Sequence, residues 1–478
     1  MKLATVDTKP PAHYVPFPKK IAWGIGGLSV DMVNALWVLA MPIFSVGLGV
    51  PATWIGIALA IPRVWDAISD PLMGHISDNT RTRWGRRRPY IFVGAIGLGV
   101  FFAVLWMPGR DWSNTALMTW FVVISLMFFS FLTIWNIPWN ALGFELTPDV
   151  KERNSVQACR SWFSTGAAFI IPAILPLAFF FGGGDEIAGV RWVGVIVGGI
   201  MTVCAILAAF FCREIVQAEA SPKSTFFKSA KYTLKNRPFL CLCAYVAFFT
   251  GGILLVQQMG YYINVFFVYG DLPSQQAREA AANVMFWGGI TGAVSNLVAV
   301  PIIAFTANRL GKKTTLIYGI IIVAIGQLLK WYFFIPENPY LQVWLSIIIY
   351  PGIILTWTII PSMIADICDF DELDTGQRRE GMYSATFAWI LKVGVTVAMA
   401  LSGWLINVAG IVDSAAVQTP EAIKNIRLLF TFLPSIFVVI GGLFVLRYPI
   451  HEKDAEIVKE KLAERHAARD AGDTAAPQ

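Results

Sequence analysis

An all-α polytopic membrane protein of twelve transmembrane helices, in two pseudo-symmetric halves of six, is the fold class that three observations predict. Of 478 residues, 56% are hydrophobic and only 14% are charged, against about 25% charged in a soluble domain. The charges gather between about twelve apolar runs, each near the roughly 20 residues a bilayer-spanning helix needs. The two halves of the chain also echo each other. A membrane β-barrel would show short alternating segments instead.

Residues 1–20 form a cytoplasmic N-terminal segment with Lys2, Lys9, Lys19, Lys20 and several prolines. No short apolar region with a small-residue cleavage site follows, so the first helix is expected to stay as an anchor. The first bundle, 21–213, holds runs near 20–48, 52–78, 89–108, 115–146, 158–182 and 190–212. A polar linker at 214–237 contains AEASPKS. The second bundle, 238–449, holds runs near 238–266, 282–307, 313–335, 339–367, 382–409 and 427–448. A charged amphipathic tail occupies 450–478, helical from His451 to Arg469 and disordered after Asp470. SDNTRTRWGRRRP follows the second run of the first half, and ANRLGKKTT the second run of the second half. Such weak internal symmetry is typical of transporters built from repeats.

Alternate loops are basic. One carries Arg81, Arg83, Arg86, Arg87 and Arg88, another Lys223, Lys228, Lys231 and Lys235, a third Arg309, Lys312 and Lys313. The positive-inside rule places these loops, and both termini, in the cytoplasm. They account for the net charge of +6, and with no aromatic-basic platform the charge does not indicate nucleic acid. The six cysteines lack metal-ligand spacing and read as small packing residues. No metal cluster, nucleophile-base pair or phosphate loop points to an enzyme, and no cofactor is expected.

A charge at the bilayer centre costs roughly 2.5–3.5 kcal/mol on insertion scales, so intramembrane charges are candidates for function. Arg63, Asp66 and Asp70 are spaced i, i+3, i+7 and share a helical face. Two acids one turn apart repel, which calls for a cation, a held proton or compensation by Arg63. Thr133, Asn136 and Asn140 repeat the spacing in TIWNIPWN, where Pro138 is expected to break the helix. Asp31, Arg160 and Lys392 lie within apolar runs, the two bases needing acidic partners. Trp135, Trp139, Trp357 and Trp389 stand near polar positions as possible platforms for a sugar's apolar face. In ADICDFDELDTGQRREGMYSA, Asp366, Asp369 and Arg378 are candidates for a cytoplasmic gate with Arg153 and Arg309.

WDAISDP, TRTRWGRRRP, IPWNALGFELTPDVKERN and DFDELDTGQRREGMY, in this order, resemble the glycoside-pentoside-hexuronide:cation symporters of the major facilitator superfamily. The resemblance covers about residues 20–450. It implies a monomeric carrier in the bacterial inner membrane that moves a sugar or glycoside with a cation by alternating access. It implies a cation site of Asp66, Asp70, Thr133 and Asn136. It implies a solute site of Asp31, Asn136, Asn140, Arg160, Trp357 and Lys392, and an inner ionic lock through Asp366 and Asp369. The chain departs from the family pattern in three places. Asn136 stands where the pattern has an aspartate, Ser69 where it has an asparagine, and Asn140 where it has a sugar-stacking tryptophan. The lost carboxylate and carbonyl weaken a sodium site, and the repelling acids favour protonation. The expected coupling ion is therefore the proton, with sodium the alternative. The lost charge also favours an anionic sugar over a neutral one. A lysolipid-type amphiphile carrier and an uncoupled facilitator are the other readings.

Overall fold

The computed structural model describes residues 14–214, 233–376, 379–412, 417–450 and 452–473. The chain divides into two compact units, Met1–Pro222 and Lys223–Gln478. In the N-terminal unit the helices are α1 Phe17–Gly47, α2 Ala52–Asn79, α3 Arg88–Leu105, α4 Asn114–Glu145, α5 Lys151–Phe181 and α6 Glu186–Phe211. In the C-terminal unit they are α7 Arg237–Val268, α8 Ser274–Leu310, α9 Lys312–Phe333, α10 Leu341–Thr375, α11 Glu380–Val408 and α12 Pro420–Leu446. A further helix, α13, covers Glu452–Asp473. All but α2 and α13 are long and apolar enough to cross a membrane. The polar residues singled out above are what keep the 28-residue α2 below that mark.

Local chemistry sets the ends. Asp149 accepts from the Glu152 amide at 2.8 Å and so caps α5. Asn236 caps α7 through the Phe239 amide at 3.1 Å, and Thr419 caps α12 through the Ala422 amide at 3.2 Å. Each satisfies one of the orphan N–H groups at a helix start. Gly311, at φ +82°, is the single residue joining α8 to α9, a conformation that disfavours a Cβ.

Several boundaries differ from the sequence reading. Helices α5, α8 and α12 begin about seven residues early, at KERNSVQ, SQQAREA and PEAIKNI. These turns are too polar for an apolar-run criterion, yet they are good helix formers. α10 likewise carries Asp366, Asp369 and Asp371 on a continuous helix rather than a loop. α13 runs to Asp473, past the expected end at Arg469. Pro138 lies inside an unbroken α4, whose last turns are held by the tryptophans described below.

Packing repeats between the units. α2 lies on α4, α3 on α4 and α6, and α1 on α5 and α6. In the second unit α8 lies on α10, α9 on α10 and α12, and α7 on α11 and α12. The first helix of each unit ends in a π-helical turn, Met41–Gly47 and Asn264–Val268. The first core is aromatic, with Phe102, Trp106, Phe121, Phe128 and Phe129 buried. The second gathers Phe239, Tyr245, Val323, Ile359 and Val438, and Tyr245 bonds Thr356 at 2.6 Å. With lipid as solvent, such helices associate through close packing rather than hydrophobic burial. One close approach is between α3 and α6, where a Cβ on Gly99 would strike the Gly198 carbonyl and one on Gly198 the Gly99 carbonyl. Gly198→Leu is therefore expected to destabilise the N-terminal unit by about 1–3 kcal/mol, the usual cost of overpacking. A fall in melting temperature in detergent would report it.

Candidate functional site

Two polar constellations form inside the N-terminal unit. The first joins α2 to α4. Asp66 is 5% exposed and pairs with Arg63 at 3.5 Å. The Arg63 guanidinium lies against Trp37 of α1 and Phe129 of α4, 4.7 and 5.3 Å from the ring centroids, and the two rings meet each other at 6.0 Å. Ring faces stabilise a desolvated cation by up to about 2 kcal/mol, so Arg63 is held in place as the partner of Asp66. Asp70 accepts from the Thr133 hydroxyl at 2.9 Å, and Ser69 meets the same hydroxyl at 3.2 Å.

The second constellation joins α1, α4 and α5. Asp31 is hydrogen-bonded by Ser164 and lies in the field of Arg160. Arg160 donates to the Asn140 side-chain oxygen at 3.2 Å and lies over the Trp139 ring at 5.1 Å. Asn140 donates to the Asn136 side-chain oxygen at 2.8 Å. Thr133, Asn136 and Asn140 share the face of α4 that runs from one constellation to the other. The structure therefore brings together seven of the expected residues: Asp31, Asp66, Asp70, Thr133, Asn136, Asn140 and Arg160. Ser69 and Ser164 join them as small hydroxyls that carry little signal in a sequence.

Trp135 and Trp139 have another task. Trp23, Trp139 and Trp135 form a continuous stack with centroids 4.9 Å apart at each step. All three rings are fully buried. Trp23 donates to the Trp139 carbonyl at 2.9 Å, and Trp139 donates to the Trp23 carbonyl at 3.1 Å. Trp135 donates to the Ala205 carbonyl of α6 at 3.0 Å. These rings tie α1, α4 and α6 together, and their faces are taken up by one another. They are not the open sugar platform the sequence suggested. The exchange also steadies α4 next to Pro138.

In the C-terminal unit, Lys392 is half-buried on α11 and Trp357 is exposed on α10. Asp366 is buried between Lys312 at 2.5 Å and Lys459 at 3.0 Å. Asp369, one turn on, also acts on Lys459. Arg309 lies over the Phe305 ring at 4.6 Å, and Arg153, in the other unit, reaches the Thr147 carbonyl at 3.4 Å. Arg378 lies outside the described residues.

A matching knot closes the N-terminal unit, and sequence reasoning missed its central acid. Glu145, at the end of α4, takes Arg86 at 2.6 Å and Arg87 at 2.8 Å. Glu214 accepts from the Arg87 backbone amide at 2.8 Å, as Glu452 accepts from the Lys312 amide at 3.1 Å. Thus Glu145 corresponds to Asp366, Arg86 and Arg87 to Lys312, and Glu214 to Glu452. Aligning the two basic loops as repeats would have pointed to Glu145.

The fold is that of solved transporters. The nucleoside transporter NupG matches with a TM-score of 0.61 at 15% identity, over 91% of this chain and 99% of that one. A proton dependent oligopeptide transporter matches with a TM-score of 0.62 at 13% identity, over 93% and 98%. Helical packing and buried intramembrane charge thus define a major facilitator transporter. Within that class, residues 22–452 match the family described as MFS/sugar transport protein, and the chain belongs to it. The isoprimeverose transporter of Lactiplantibacillus pentosus is 27% identical, over 96% of this chain and 94% of its own. The putative glycoside/cation symporter YagG of Escherichia coli (strain K12) is 26% identical, over 94% and 95%. The glucuronide carrier protein homolog of the same organism is 25% identical, over 90% and 91%. These are transporters and not enzymes, and the chain is a multi-span membrane protein of their kind.

Two outcomes follow from the knots. Glu145→Ala leaves two arginines facing each other and is expected to destabilise the N-terminal unit by about 3 kcal/mol, read as lost helix signal on thermal unfolding. The hydrogen bond from Lys459 to Asp366 raises the lysine above its ordinary pKa. Its stabilisation is complete below the ordinary lysine value of about 10.4 and disappears as pH rises through the raised one. The protection factor of α13 amides, exchange corrected for its base-catalysed intrinsic rate, is therefore expected to hold from pH 7 to 9 and to fall only beyond the ordinary value.

Proposed function

We propose that the chain is a proton-coupled symporter of a sugar or glycoside. It works by alternating access in a bacterial inner membrane, with both termini cytoplasmic. The observation that carries the reading is the charge balance on the two linked constellations. Three carboxylates, Asp31, Asp66 and Asp70, stand with two guanidiniums, Arg63 and Arg160. Within this unit one further positive charge balances the set, and we assign it to a coupling cation. Asp70, bonded to Thr133 at 2.9 Å, is the position we assign to the carrier. A proton needs a single acceptor oxygen, whereas sodium needs several ligands around it, and Asn136 adds no carboxylate to the site.

In the N-terminal unit the solute is read by Asp31, Asn136, Asn140 and Arg160; Lys392 and Trp357 are the solute residues we assign in the C-terminal unit. Carboxylate, amide and guanidinium together offer both acceptors and donors to hydroxyl groups. Because Arg160 is balanced by Asp31, it does not by itself call for an anionic sugar. The relatives named for a glycoside, isoprimeverose and a glucuronide support the sugar class. Asp366, Asp369, Arg153, Arg309 and Arg378 make up the proposed cytoplasmic gate. Sodium coupling is the second reading, favoured by the hydroxyls of Ser69 and Thr133 gathered at Asp70.

One charge moved through 100 mV supplies about 2.3 kcal/mol, enough for a solute ratio of about fifty. Vesicles containing the protein are expected to accumulate solute under an imposed pH gradient without sodium. Asp70→Asn is expected to reduce accumulation to simple equilibration while exchange of labelled solute continues. Sodium-dependent uptake at fixed pH, with no proton movement on adding solute, would assign the site to sodium instead. A panel of neutral glycosides, pentoses and uronates in the same vesicles identifies the solute.

A further inference from the structure

A slot between α8, α9 and α10 shares only the neighbouring Arg309 with the reading above. It encloses about 350 Å³ and is lined by Ser295, Ile302 and Thr306 of α8, Tyr318 and Ile322 of α9, and Pro351 of α10. Ile302, Tyr318 and Ile322 are exposed along it. From Ser295 to Thr306 the wall is eleven residues of helix, about 16 Å at 1.5 Å per residue. One leaflet of a roughly 30 Å hydrocarbon core is about 15 Å deep, so the slot matches the depth of a single leaflet. Its mean cross-section, 350 Å³ over about 16 Å, is about 22 Å². A helix 10–12 Å across does not fit, whereas an extended hydrocarbon chain does.

One turn beyond Thr306, in the last turn of α8, stands Arg309. It is exposed, with its guanidinium over Phe305 at 4.6 Å. The neighbouring lysines are engaged elsewhere, Lys312 with Asp366 and Lys313 with the carbonyls of Leu446 and Tyr448. An arginine at headgroup level above a chain-deep slot has the geometry for a phosphodiester, which guanidinium takes through two parallel hydrogen bonds. We propose that this slot retains one anionic phospholipid, with an acyl chain between α8 and α9 and its phosphate on Arg309.

The test is native mass spectrometry of the full chain in detergent, titrated with phosphatidylglycerol or with phosphatidylcholine of the same acyl chains. The wild type is expected to retain one phosphatidylglycerol about fivefold more tightly than phosphatidylcholine, the effect of one basic residue on anionic-lipid binding. Arg309→Gln is expected to remove the preference and leave phosphatidylcholine binding as it was. Ile302→Trp, which fills the slot from its rim, is expected to lower retention of both lipids with helix content unchanged by circular dichroism. Val298→Trp serves in its place should that variant unfold. Equal retention of the two lipids by the wild type would overturn the proposal. So would a preference that survives Arg309→Gln, or retention that is indifferent to the filled slot.

Discussion

The structure of the N-terminal unit depends on the repulsion between two carboxylates one helical turn apart. Asp66 is buried and Asp70 half-buried, and their neighbours answer that problem. Arg63 pairs with Asp66, while Trp37 and Phe129, in contact with each other, hold the guanidinium. Thr133 donates to Asp70 from the adjacent helix. Apart from the Arg63–Asp66 pair within α2, these contacts cross between helices, so neutralising the acids also fixes α2 against α4 and α1. A change in the charge of Asp70 alters the hydrogen bond to Thr133 and, through the shared face of α4, the set at Asn136, Asn140 and Arg160. In the proposed function, ion and solute are thus read by one helix face.

The tryptophan stack gives that face its rigidity. Trp23 and Trp139 exchange indole N–H groups for each other's carbonyls, which leaves few buried polar atoms around Pro138 to be satisfied in other ways. Proline within a spanning helix is tolerated where neighbours make up for the missing backbone bond. Here it sits in the same turn as Asn136 and Asn140.

Much of this was legible in the sequence because charge in an apolar run is costly and so carries information. Asp31, Asp66, Asp70, Arg160 and the 133–136–140 triplet could be picked out, and the structure brings them together. What was not legible depends on the third dimension. Trp139 reads equally well as a platform or as a packing residue until its stacking partners are known. The early turns of α5, α8 and α12 are helical through propensity and capping, which leave no apolar signature. Glu145 looked like an ordinary acid at a helix end, and only the arginines folded back over it reveal its place. Lys459 became a partner of Asp366 only through the packing of α13 on α10.

The paired knots have a consequence for anyone who recombines such proteins. Glu145, Arg86, Arg87 and Glu214 are all supplied by the first unit, and Asp366, Lys312, Lys459 and Glu452 by the second. A chimera of two relatives keeps both sets whole if the crossover falls after Glu214, whose carboxylate seats the basic loop, and before Asn236, which starts α7. A crossover only a few residues earlier would leave Arg87 relying on a foreign acid. The exchangeable cassette is therefore set by one glutamate beyond the last helix of the first unit, rather than by the helix boundary itself.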